Sequence, residues 1–311
     1  MFLLRNHANP SVLQCQITLY LIMIRFILTS IAIVIAVLLL NYEAISLQRK
    51  FDSKESARVI SEVMLENFDQ LEKVLIVTGK RIIKEAPGAD LREIHQILTQ
   101  ASNTQIRRNL LSWTSLGWVD LRGYQIVNTA LGVIDHPLYM IGRNYRDSAN
   151  DAWKLILSEI TTGNISGQLI IPAGVQVETE KQKRLGTVNC GISVKEIISL
   201  INTRLNKNDR FIIIDERVSK VAFDYAGVTE IIGNNLHNYP ILTSNNNLYV
   251  DSISLSPRYP YTILVGYDYG TFWLEIITIS AKQITIIFSI FALIALLSSE
   301  KERRDRDHQS Q

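Results

Sequence analysis

The chain has 311 residues, 47% of them apolar and 20% charged, with 32 basic against 30 acidic side chains and a formal charge of +2. That balance supplies no basic stripe for nucleic acid, and the scattered Gly and Pro with a rich apolar content exclude collagen-like, coiled-coil-only and disordered classes. Two cysteines, Cys15 and Cys190, cannot form a disulfide scaffold.

In chain order, residues 1–25 read as a cytoplasmic N-terminus and Phe26 to Ile45 as a first transmembrane helix. The run FILTSIAIVIAVLLL has no charge, and the whole stretch reaches the ~20 residues that cross a hydrocarbon core. Arg25 marks the cytoplasmic edge, because a mid-membrane arginine is costly. Met23-Ile24-Arg25 also makes an ordinary start for a signal anchor, which would leave residues 1–22 as an upstream extension. No small-x-small cleavage site follows the span, so an anchor is expected rather than a cleaved leader.

Residues 46–270 then form one water-soluble domain. From Asn41 to about Glu85 the pattern is helical: Ile60, Met64, Phe68, Leu71, Leu75, Thr78 and Ile82 recur at steps of three and four. The stripe is open to two readings, a stalk that pairs with a second subunit or a face packed on the domain's own sheet. Ala86-Pro87-Gly88 breaks this helix, and Asp90 caps a shorter one through about Gln100. Beyond Trp113 the period becomes two. Leu116–Asp120 and Tyr124–Thr129 flank Leu121-Arg122-Gly123 as a hairpin. A helix is expected over Tyr145–Glu159, strands over Gly167–Val175 and Arg184–Ile192, and a capping box at Ser193–Glu196 opens a helix through Asn202. Strands are expected again over Phe211–Asp215, Lys220–Asp224, Leu248–Leu255 and Tyr261–Tyr267. Short turns between the strands and long helices at the start predict an α+β domain on an antiparallel sheet. No repeat of 20–50 residues is present.

Ile276 to Leu297 reads as the second transmembrane helix, with Lys282 snorkelling outward. Residues 298–311 are a basic tail; Lys301, Arg303, Arg304 and Arg306 favour a cytoplasmic C-terminus.

Chemistry of catalysis is sparse. The five histidines (His7, His95, His136, His237 and His308) form no H-E-x-x-H pair, and there is no C-x-x-C, G-x-S-x-G or phosphate-binding loop. No metal site, no cofactor and no enzymatic activity are expected. Cys190, inside Thr187-Val-Asn-Cys-Gly-Ile, reads as a small core residue rather than a nucleophile.

The order of elements resembles the extracytoplasmic Cache (PAS-like, PDC-type) sensor domains of bacterial sensor kinases and diguanylate cyclases. The resemblance rests on Leu116-Gly117-Trp118-Val119-Asp120-Leu121-Arg122-Gly123, on Arg143-Asn144-Tyr145-Arg146-Asp147, on Leu185-Gly186-Thr187 leading to Ser193–Ile197, and on Arg258–Tyr267. It implies an α+β fold in which a long N-terminal helix packs on an antiparallel PAS/Cache-like sheet, flanked by two transmembrane helices. It further implies a periplasmic domain in a bacterial inner membrane, with both termini cytoplasmic, that binds a small organic ligand. Carried over by position, the ligand contacts are Trp118, Asp120, Tyr139, Arg143, Tyr145, Arg146 and Asp147. An amino acid or carboxylate suits such a set, because arginine offers a planar fork and tyrosines offer rigid walls. The same residues also read as half-buried aromatics and a solvated basic face. The kinase or cyclase output of the resembling proteins does not follow residue 297, so the chain reads as an input module that acts through the lipid bilayer on a second copy or on a kinase in trans. A different class of reading is a non-signalling membrane-anchored assembly protein or a degraded fragment of a sensor kinase.

Overall fold

A computed structural model describes residues 10–88, 90–106, 113–140, 152–205, 209–217, 220–224, 242–244 and 247–309. The chain divides into two compact units, Lys50–Asp268 and a helical one made of the residues up to Arg49 with those from Tyr269 onward. Helix α1 (Pro10–Glu85) contributes to both. Proline suits its first position, where no amide hydrogen is needed, and Ala86-Pro87-Gly88 ends it as expected.

In the Lys50–Asp268 unit the helical stripe is core: Ile60, Phe68, Leu71 and Leu75 are fully buried, and they join one cluster with residues of both sheets. Packing on the domain's own sheets therefore occupies the face that the stalk reading left free. Each such side chain contributes about 2 kcal/mol by leaving water. Helix α2 (Leu91–Ile106) starts where Asp90 Oδ1 accepts from the amides of Arg92 (2.7 Å) and Glu93 (3.2 Å).

The first sheet holds β1 (Trp113–Val119), β2 (Tyr124–Asn128), β3 (Gly132–Tyr139), β4 (Leu155–Leu157), β5 (Thr161–Thr162), β6 (Leu169–Glu178) and β7 (Arg184–Ser193). Its order is β3-β2-β1-β7-β6-β4, with β5 beside β6 and every pair antiparallel. The β1–β2 hairpin turns at Gly123 (φ 90°), whose amide donates to the Asp120 carbonyl at 3.0 Å; a left-handed backbone there favours glycine. Helix α3 (Val194–Asn202) begins at the predicted cap, with Ser193 Oγ accepting from the Glu196 amide. The second sheet holds β8 (Asp209–Asp215), β9 (Lys220–Asp224), β10 (Leu242–Ser244), β11 (Asn247–Ser256) and β12 (Tyr259–Asp268), in the order β10-β11-β12-β8-β9. Helix α4 (Tyr269–Gln309) follows.

The expected antiparallel architecture is present, divided between two sheets of seven and five strands, and one expectation is corrected. The helix expected over 145–159 is absent from its described part, residues 152–159. There Leu155 and Leu157 bury themselves with Ile156 on the opposite face, a period of two, and Trp153 takes φ 63°, which no right-handed helix accommodates. Strand β3 was unanticipated; as an edge strand it tolerates Pro137, which cannot donate to a ladder.

In the helical unit, α1 and α4 hold each other through a polar clasp. Asn41 Nδ2 donates to Ser280 Oγ (2.9 Å) and Gln283 Oε1 (2.8 Å), and Arg49 pairs with Glu275 at 2.6 Å. The Tyr42 ring meets Phe272 edge-on and Trp273 at a tilt, each at 5.8 Å. Both helices contain a stretch long and apolar enough to cross a membrane.

Candidate functional site

The two faces of the first sheet differ in chemistry. One carries Leu116, Trp118, Val127, Ile171, Val175, Val188 and Ile192 into the core shared with α1. Side chains alternate along a strand, so the intervening residues belong to the other face, and irregularities in register between Trp118 and Val119 and between Gln125 and Val127 bring Gln125 there as well. There the buried groups are neutral and polar: Gln125, Asn128 and Asn189 are each less than 5% exposed. A buried amide without partners is destabilising, and these are paired. Asn128 Nδ2 donates to Ser115 Oγ at 3.1 Å, Gln125 Nε2 faces Asn189 Oδ1 at 3.5 Å, and Thr114 Oγ1 donates to the Gly191 carbonyl at 3.2 Å.

These side chains surround a cavity of about 40 Å³, closed further by Gly163, Ser166 and Met140. The volume admits a few water-sized groups. Glycine makes the arrangement possible at Gly117, where a Cβ would lie 2.1 Å from Gln125 Nε2 and 2.5 Å from Asn189 Oδ1. Val119 and Met140 add a small apolar cluster with Leu138 and Ile156. No charged side chain lines the cavity among the described residues. Such a wall can form hydrogen bonds, and among the described residues it holds no acid–base pair. Nor do the described residues contain a His/Cys/Asp/Glu group able to hold a metal ion. The Cys190 thiol also borders the cavity, but it is buried and burial pushes its ionisation well upward, so it stays a protonated core group.

The residues expected from the sequence fall in different places. Trp118, 2% exposed, sits on the core face of β1 and not on the polar one. Its ring lies against Gly186, where a Cβ would meet Cζ2 at 2.4 Å. Asp120 shapes the hairpin: Oδ1 accepts from the amides of Arg122 (3.0 Å) and Tyr124 (2.8 Å), and Oδ2 pairs with Arg122 at 3.0 Å. Tyr139 ends β3 half-exposed, its ring 4.9 Å from that of Tyr124 and one residue before the cavity-lining Met140. Arg143, Tyr145, Arg146 and Asp147 lie outside the described residues. Sequence reasoning missed Ser115, Gln125, Asn128 and Asn189. A signal existed in Val188-Asn189-Cys190, a polar residue alternating with apolar ones in a strand.

No protein-family model and no curated protein matches this sequence. Solved structures do match the fold. The ligand-binding domain of the Campylobacter jejuni chemoreceptor Tlp3, in complex with L-valine, is 10% identical with a TM-score of 0.54, over 75% of this chain and 98% of that one. That of the Pseudomonas fluorescens chemoreceptor CtaA, in complex with L-serine, is 15% identical with a TM-score of 0.52, over 69% and 95%. The extracellular domain of a protein assigned as a histidine kinase is 14% identical with a TM-score of 0.56, over 71% and 95%. The fold is that of Cache-like extracellular sensor domains, an α+β arrangement of a long N-terminal helix on antiparallel sheets.

Proposed function

We propose that the chain is a membrane-anchored, non-catalytic sensory module that binds a small organic ligand on the polar face of its first sheet. The observation that carries this reading is a buried, neutral, hydrogen-bonded face around a cavity that takes one small polar end of such a ligand, in a fold used by extracellular ligand-binding domains. An amino acid or carboxylate is the ligand class, since two solved domains of this fold hold L-valine and L-serine. In this reading Tyr139, Arg143, Tyr145, Arg146 and Asp147, which follow or end β3, complete recognition, while Trp118 and Asp120 serve as scaffold. Residues 26–45 and 276–297 cross a bacterial inner membrane. Their outward side chains, such as Phe26, Ile31, Ile35, Ile290 and Leu293, are exposed and suit lipid. Residues 46–270 lie outside the cytoplasm, both termini inside, and a second copy or a kinase in trans reads the change.

The test is a thermal-shift screen of L-amino acids and small carboxylates on the full chain in detergent. A ligand at 100 times its Kd stabilises by about 2.7 kcal/mol. Arg146→Ala should abolish that rise while leaving the melting of the ligand-free protein unchanged. A rise retained in Arg146→Ala removes this residue from the site.

A further inference from the structure

The cavity on the first sheet, about 40 Å³, is far smaller than the roughly 300 Å³ at the low end of small-molecule sites. If it takes more than one polar end of a ligand, part of its wall moves, and strand β4 is the part built to do so.

β4 touches the cavity wall on one side and α1 on the other. Its Ile156 packs on Met140 with Val119 and Leu138, and Met140 lines the cavity. Just past its end, the Ser158 amide donates at 2.8 Å to the carbonyl of Pro172, another lining residue. Leu155 and Leu157 point instead into the core shared with α1. The ladder to β6 is short, covering Leu155, Ile156 and Leu157. Beyond it, two side chains hold the backbone: the Leu155 amide donates to Glu72 Oε1 at 2.9 Å, and Arg217 donates to the Leu157 and Ser158 carbonyls.

These two ties differ in strength. Arg217 is itself fixed, gripping Asp215 through Nε (2.8 Å) and Nη2 (2.6 Å) and reaching the Tyr261 hydroxyl at 3.2 Å. Glu72 serves two donors, because Arg258 pairs with the same oxygen as the Leu155 amide. When Leu155 leaves, the carboxylate keeps its arginine, so no buried charge is stranded. Room to move exists as well. A cleft of about 750 Å³ adjoins β4, bordered by Glu72, Ile76, Trp153 and Pro257. Strain favours the movement: Trp153, at the entry to β4, has φ 63°, a region that large L side chains rarely adopt.

We propose that β4 is a latched wall of the cavity, with the Glu72–Leu155 hydrogen bond as its latch and the Arg217 tie as its hinge. This inference rests on the reading that the cavity receives the ligand. On release, β4 shifts toward the cleft, Ile156 withdraws from Met140, and the cavity widens. A ligand that needs the wider cavity therefore draws β4 off α1. By linkage, breaking the latch tightens that ligand's binding by the same factor.

The test needs no ligand, so failure of the latch and failure of the binding reading register separately. Hydrogen peroxide is applied to the full chain in detergent, and peptide mass spectrometry follows sulfoxide at Met140, with Met64, fully buried on α1, as internal reference. Glu72→Asp keeps a charge for Arg258 but draws the oxygen back from Leu155. It should speed Met140 oxidation about tenfold relative to Met64, the worth of one hydrogen bond to a charged group. Glu72→Gln loses the charge but keeps an acceptor for Leu155, and should stay within about threefold of the unsubstituted chain. An unchanged Met140 rate in Glu72→Asp overturns the latch. So does a parallel rise at Met64, which marks global opening, or a Glu72→Gln rate as fast as that of Glu72→Asp. Hydrogen exchange on the unsubstituted chain keeps the test decisive if Glu72→Asp does not fold. The Leu155 amide should exchange at least tenfold faster than the amides of the β6–β7 ladder, and equal rates overturn the proposal.

Discussion

The two sheets of the Lys50–Asp268 unit bury polar groups in opposite ways. The second sheet buries charge in a closed pair. Asp215, its side chain 3% exposed, is gripped by Arg217 among Phe211, Ile213, Tyr261 and Ile263. The first sheet buries neutral amides and hydroxyls around a cavity, with Gln125, Asn128 and Asn189 on a face of their own. A closed ion pair has no valence left for a ligand and serves the fold. An amide face around a void can exchange partners, which is what recognition requires. The difference also explains why two halves built from the same antiparallel pattern need not share a task.

The largest expected effect breaks the second sheet's closed pair. Asp215→Ala leaves the Arg217 guanidinium without its carboxylate while its bonds to the Leu157 and Ser158 carbonyls still hold it in place. Removing one partner of a buried pair costs 3–5 kcal/mol, and the partial exposure of Arg217 puts this one at the lower end, about 3 kcal/mol. Urea unfolding of the full chain measures it. A loss below about 1 kcal/mol would mean that the pair is an ordinary surface bridge, and the contrast between the sheets would disappear.

A pH titration sharpens the same contrast with a smaller effect. Burial raises the phenol of Tyr259 to about 12 and pushes that of Tyr261 higher still, although Arg258 and Arg217 pull the other way. The folded state thus favours the neutral phenols. Their contribution is fully present below the ordinary tyrosine value near 10 and is lost as pH rises from about 10 through 12. Melting temperature should fall across that window. Tyrosinate absorbance from these two residues should appear only as the second sheet opens; ionisation near pH 10 without unfolding would show the core of that sheet to be wet.

How much of this was legible in the sequence depends on the range of the interactions involved. The α1 stripe from Ile60 to Ile82, the Asp90 and Ser193 caps and the Gly123 hairpin are local patterns, and each stands where the periodicity put it. The segment Trp153–Leu157 was misread because a short apolar run fits helix and strand alike. What decides it is distant: the Leu155 amide donates to Glu72, 83 positions earlier, and β4 pairs with β6. The site was harder still. Asn189 alternating with Val188 and Cys190 shows that β7 has a polar face, but alternation alone does not say whether that face meets water or closes over a cavity.

The smallest stability effect is the most informative about function. Asn189→Leu nearly conserves volume and removes one amide from the polar face of the first sheet. Its bond to Gln125 is long, 3.5 Å, so the loss should be about 1 kcal/mol, mostly from the Gln125 amide left in a buried place. Ligand-induced stabilisation should vanish, because an apolar side chain then replaces a hydrogen-bonding group on the cavity wall. Paired thermal scans with and without the best ligand from the screen separate the two. If Asn189→Leu instead unfolds the protein as readily as Asp215→Ala, the amide face is as structural as the ion pair. If the ligand response survives in a folded Asn189→Leu protein, recognition lies elsewhere.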